Sequence, residues 1–124
     1  MAEPQSTEEI RSTLQRIVGQ SVRQLQVLGI NSLKSVMPAP HDFVGATITS
    51  VSAHDRKVRI DLGRLSATVD LQRTGRLLWL GEAVPARIAQ PGTPTVRLLF
   101  ESGSALDFTE PAKTKRISVV LSET

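Results

Sequence analysis

The sequence predicts a mainly β protein: a two-layer antiparallel β-sandwich of about eight strands, flanked by one or two α-helices. Three observations lead there. Short apolar or alternating runs recur through the chain, and the gaps between several of them carry glycine. A helical period stands out only near the N-terminus. The length of 124 residues, 40% of them hydrophobic and 22% charged, suits one core, so a single domain over residues 1–124 is expected.

Taken in order, Ser6 or Thr7 can cap a helix, and Glu8 and Glu9 then lie in its first turn, where the positive end of the helix dipole favours them. Ile10, Leu14, Ile17 and Val18 follow at helical spacing, and Gly19 stops the run, which predicts a helix from Ser6 to Val18. From Ser21 the period changes to two, with Val22, Leu25, Val27 and Leu28 forming a strand. Asn31 to Asp42, with Pro38 and Pro40, is a connection or a short second helix. The run Val18-Gly19-Gln20-Ser21-Val22-Arg23-Gln24-Leu25 returns in outline as Val44-Gly45-Ala46-Thr47-Ile48-Thr49-Ser50-Val51, offset by 26 residues. Two copies this short are two similar ways into a strand, not solenoid repeats. Lys57 to Leu62, Ser66 to Leu71 and Arg76 to Leu80 come next, and the gaps at Gly63-Arg64 and Thr74-Gly75 read as hairpins. Gly81 to Pro94, with three prolines, reads as a surface loop. Thr95 to Phe100 and Ala105 to Phe108 flank another hairpin, and Arg116 to Leu121 is the final strand.

Composition excludes several classes of chemistry. Cysteine is absent, which removes disulfides and thiolate metal sites together, and two histidines, His41 and His54, are too few for a metal site without several carboxylates. Neither a metal site nor a cofactor is expected. Aromatic residues are only 3%, which argues against a stacking platform for single-stranded bases. No apolar run approaches a membrane span and the first residues lack a basic region followed by an apolar one, so a cytoplasmic protein without membrane contact is expected. The net charge is +3, and eleven of the fifteen basic residues are Arg, whose forked guanidinium suits phosphate and carboxylate alike.

Several motifs in this order carry a resemblance: Val44-Gly45-Ala46-Thr47-Ile48, Arg56-Lys57, the stretch from Leu71 through Thr74-Gly75-Arg76, and Val96 through Phe108-Thr109-Glu110-Pro111. Together they are similar to the N-terminal domain of the formamidopyrimidine-DNA glycosylase and endonuclease VIII family, over nearly the whole chain. The resemblance implies base-excision repair: removal of oxidised bases, then strand cleavage at the abasic site through a Schiff base on the N-terminal amine, with an adjacent Glu handling protons. Family members open with Pro-Glu after the initiator Met. Here Ala2 takes the place of the nucleophilic Pro and Glu3 that of the acidic partner. Once Met1 is removed, Ala2 exposes an α-amine that titrates near about 7.7–8.0 and keeps a neutral fraction at physiological pH. The alternative is that Ala2 and Glu3 are an ordinary frayed terminus.

The resemblance also implies a DNA-facing surface made by Lys57, Arg73, Lys113, Lys115 and Arg116. Lys57 falls on the Lys that approaches the damaged nucleotide or its phosphate; a solvated charge at a strand start is the plainer reading. Where the family has a Met that fills the gap left by the flipped base, this chain has Arg73, and the second wedge, a Phe, becomes Thr114. One Arg beside it becomes Ala112. Lys113 to Arg116 equally serves to keep an edge strand soluble. The family's second domain, with its helix-two-turn-helix and finger, has no counterpart in these residues.

Three readings follow. The first is a DNA glycosylase-like domain impaired in base excision that binds DNA weakly, or with a protein partner supplying a second DNA-binding domain. The second is an active glycosylase and abasic-site lyase using the Ala2 amine. The third is an interaction module without DNA binding, with Gly81 to Pro94 and Ile88 as its contact loop.

Overall fold

The computed structural model describes residues 5–29, 32–83, 94–110 and 116–123. Helix α1 spans Thr7–Gln15. Ser6 precedes it in extended backbone, its Oγ accepting from the Glu9 amide at 3.1 Å, and Glu8 and Glu9 occupy the first turn as the sequence predicts. The helix ends short of Val18 because Arg16 and Ile17 donate back to Thr13 and Leu14, a tightened last turn. That turn keeps Ile17 in the core with Ile10 and Leu14 and leaves Val18 exposed.

Eight strands follow: β1 (Val22–Val27), β2 (Ser50–His54), β3 (Lys57–Leu62), β4 (Leu65–Asp70), β5 (Arg76–Leu80), β6 (Val96–Phe100), β7 (Ala105–Thr109) and β8 (Ser118–Glu123). They form two antiparallel sheets, ordered β1-β6-β7-β5 and β2-β3-β4-β8. Alternation decides which side chains meet between them. Leu77, Val96, Leu98, Phe100, Leu106 and Phe108 come from the first sheet, and Val58, Ile60, Ala67, Val69, Val119 and Leu121 from the second, all in one buried cluster. Trp79 packs on this core with its ring centroid 6.1 Å from that of Phe100. A 3-10 turn at Pro40–Phe43 stands where a short second helix was one of two expectations, and it buries Phe43.

The Val-Gly repeat has a structural meaning. Its two copies pair with each other about the Ser21↔Thr47 bridge, and the bonds repeat under exchange of the copies. Gly19 N donates to Ile48 O as Gly45 N does to Val22 O, and Ile48 N donates to Gln20 O as Val22 N does to Ala46 O. Both glycines take positive φ, +89 and +85, which lets each copy turn into the pairing.

One expectation is corrected. Residues 71–75 are not a hairpin, because β4 lies in the second sheet and β5 in the first. The segment carries the chain across the sandwich, with Leu71 wholly buried and Gly75 N donating to Leu71 O at 2.9 Å. Helix α1 packs against β2 and β5, so it closes the sandwich where an edge of one sheet meets an edge of the other. In the first sheet a forked pair, Arg97 Nε to Asp107 Oδ1 at 2.7 Å and Nη2 to Oδ2 at 2.8 Å, joins two side chains that are both buried. The bond from Asp107 raises the Arg97 pKa further, against the opposing effect of burial.

Candidate nucleic-acid interface

One end of the sandwich gathers four chain segments. The β2–β3 connection is a two-residue turn in which Asp55 and Arg56 both have positive φ, +51 and +64. This is the geometry that matches strand twist in a tight hairpin. It starts β3 at Lys57, which is exposed and sits in a row across the second sheet, His54, Lys57, Asp70, Ser118. Asp70 then begins the crossover: its Oδ1 accepts from the Gln72 amide at 2.9 Å, a local turn that supports the positive φ of Gln72. Arg73 and Thr74 are exposed at the tip of this loop.

Arg56 does not reach for solvent. Its Nε donates to Gln72 O at 2.6 Å, Nη1 to Gln5 O at 3.0 Å and Nη2 to Gly75 O at 2.5 Å. Gln5 in turn uses its carboxamide like a neighbouring strand, donating to Leu77 O at 2.9 Å and accepting from Leu77 N at 2.7 Å. The N-terminal segment is thereby fixed along the outer edge of β5.

Glu110 closes the group from the other side. It is 5% exposed, its Oε1 accepting from the Arg116 amide at 2.6 Å and the Ile117 amide at 3.1 Å, and its Oε2 from Thr74 Oγ1 at 3.2 Å. The approach to β8 is therefore tied to the same loop that carries Arg73.

Lys57, Arg73 and Arg116 are all exposed, and the row through Asp70 and Ser118 together with the Thr74–Glu110 bond brings their segments to one end of the fold. Ala2, Glu3, Lys113 and Lys115, with Ala112 and Thr114, lie outside the described residues. So do most of the expected Gly81 to Pro94 loop and Ile88. Sequence reasoning missed Gln5 and the role of Arg56. Nothing local marks Gln5, whose partner is 72 residues away. Arg56 carried a signal, since Asp55-Arg56 separates two alternating runs. Among the described residues there is no group of three or more His, Asp or Glu placed to hold a metal. No helix among them is long and apolar enough to cross a membrane.

A family model for the formamidopyrimidine-DNA glycosylase N-terminal domain matches residues 1–117. No curated protein matches the sequence. Solved structures with the same fold include a Lactococcus lactis Fpg in complex with abasic-site DNA, at 17% identity and TM-score 0.73, covering 92% of this chain and 41% of that one. The Lactococcus lactis Fpg (MutM) with a FAPY-dG-containing DNA matches at 16% identity and TM-score 0.73, over 92% of this chain and 41% of that one. An inhibited Fpg with an N7-benzyl-Fapy-dG-containing DNA gives 16% identity and TM-score 0.74, over 92% and 41%. This chain thus spans about two-fifths of the length of these solved structures.

Proposed function

Because this chain belongs to the formamidopyrimidine-DNA glycosylase N-terminal domain family, we propose that it is a glycosylase-like, DNA-binding domain of the base-excision-repair type. In this reading it is impaired in excising bases and binds DNA weakly, or with a protein partner that supplies a second DNA-binding domain. The observation that carries the reading is the meeting of the β2–β3 turn, the 71–75 loop and the approach to β8 at one end, with Lys57, Arg73 and Arg116 exposed there. Lys113 and Lys115 precede Arg116 in sequence and add to the same charge. The solved relatives named above are complexes with DNA, which supports DNA as the ligand class. Impairment follows from chemistry. Extruding a base costs a few kcal/mol, offset by side chains that fill the vacated stack, and Thr114 cannot stack.

A gel shift on duplex DNA across salt concentrations tests this. Three phosphate contacts give a slope of log K against log salt near about −2.7, a loss of about 40-fold between 50 and 200 mM salt, and five contacts give about −4.5. Binding that does not fall with salt, or no binding, favours the interaction module instead.

A second reading, residual lyase activity, is supported by the seat of Gln5 beside the Arg73 loop. With Met1 removed, the neutral Ala2 amine adds to the aldehyde carbon of an abasic sugar. Water leaves with proton transfer through Glu3, and a Schiff base remains. Borohydride reduces that imine to a stable adduct. An adduct on abasic DNA that disappears when the Ala2 amine is blocked supports the lyase, and its absence from protein shown to begin at Ala2 refutes it.

A further inference from the structure

We propose that Arg56 is a positioning residue that sets where the N-terminal amine stands, by locking Gln5 to the loop that carries Arg73. Its consequence for chemistry rests on the lyase reading above, while the lock itself does not. Arg56 occupies a left-handed backbone position, φ +64, where a side chain is disfavoured and glycine would serve. The side chain held there uses all three of its nitrogens on main-chain carbonyls from two separate segments, Gln5 on one side and Gln72 and Gly75 on the other. Among the described residues no carboxylate accepts from it. A planar, rigid guanidinium can span three acceptors at fixed angles, which a lysine ammonium on its flexible stem cannot.

The lock has a direct route to the amine. Gln5 is clamped to Leu77 through both ends of its carboxamide, so the segment can shift only if the Arg56 bond or that clamp yields. From Gln5 to Ala2 is three residues, at most about 11 Å of chain. Misplacement of a reacting group by about 1 Å costs about 100-fold in rate. The same guanidinium holds the loop that carries Arg73, so that loop and Gln5 share one anchor.

Arg56→Gly tests the proposal, because glycine suits the positive φ and only the guanidinium is lost. The first readout needs no activity: amide hydrogen exchange at Leu77, whose N–H is covered by Gln5 Oε1. We expect exchange at Leu77 to quicken by about tenfold or more while that of Ala67, in the buried part of β4, stays as it was, with part of the protection regained in millimolar guanidinium. Leu77 exchange equal to the parent overturns the lock. Should Arg56→Gly fail to fold, Arg56→Lys, which keeps the charge and can reach fewer carbonyls, gives the same readout with a smaller change. The second readout is borohydride trapping on abasic DNA at saturating DNA. At saturation the trapping rate falls about 10- to 100-fold whatever the change in DNA affinity, and added guanidinium recovers part of it. Trapping at the parent rate overturns the positioning role. If the parent itself forms no adduct, the lyase reading falls and Leu77 exchange alone decides whether Arg56 holds the terminus.

Discussion

Gly75→Ala is the sharpest probe of the crossover loop. A Cβ on Gly75 would lie 2.5 Å from the Leu71 carbonyl oxygen and 3.0 Å from the Leu71 Cα and Cβ. The nearest obstacle is main chain, so no rotation of a side chain relieves it. The loop must open, which strains the 2.9 Å bond from Gly75 N to Leu71 O and the bond from Arg56 Nη2 to Gly75 O. Overpacking of this kind costs about 1–3 kcal/mol, and two weakened hydrogen bonds add about 1 kcal/mol each. The stiffer unfolded chain returns about 0.4–1 kcal/mol. The net expectation is a loss of about 2–5 kcal/mol, or about 8–20 °C in Tm for a chain of this size. Urea unfolding followed by the fluorescence of Trp79, the sole tryptophan, measures it, since that ring packs on Phe100. Gly81→Ala is the control, with nothing within 4 Å of the added Cβ, and should lie within about 0.5 kcal/mol of the parent. A Gly75→Ala protein equally close to the parent would refute the close approach, and with it the argument that the loop is held rigid beneath Arg73.

Further expectations can be checked with standard measurements. Arg97→Met leaves Asp107 buried without its forked partner and should cost about 3–5 kcal/mol in urea unfolding. The double change Arg97→Met, Asp107→Leu should cost less than either single one in a double-mutant cycle, because no charge is then stranded. Ser6→Ala removes the cap on the Glu9 amide and should cost about 1 kcal/mol by thermal melt. Arg73→Ala should make the salt slope of DNA binding shallower by about 0.9, as expected for one phosphate contact, and an unchanged slope would remove Arg73 from the interface.

Much of the fold was legible because it rests on local pattern. Lys57 to Leu62 and Arg76 to Leu80 are strands with the bounds that alternation and flanking glycines predict. The helix start was readable from Ser6 and the two glutamates, since capping is a matter of four consecutive residues. The crossover was not readable. A Thr-Gly gap between two apolar runs has the same local chemistry whether the strands pair with each other or join different sheets, and only the packing of Leu71 into the core distinguishes them. The candidate site divides in the same way. Lys57, Arg73 and Arg116 were nameable from motif positions, whereas the reason they share one end lies in strand register and in the Thr74–Glu110 bond, 36 residues apart in sequence.

By itself, then, the sequence determined element types, the mainly β class, the family resemblance and the basic residues that face DNA in the proposed function, because each depends on residue type and short-range spacing. Tertiary structure alone decided which strands share a sheet, how the Val-Gly copies pair, and that Arg56 turns inward onto three carbonyls while Lys57 stays exposed. Those outcomes depend on main-chain hydrogen-bonding groups, which every residue carries alike, finding partners far along the chain. No local pattern encodes such a choice, since burial of the core as a whole selects it.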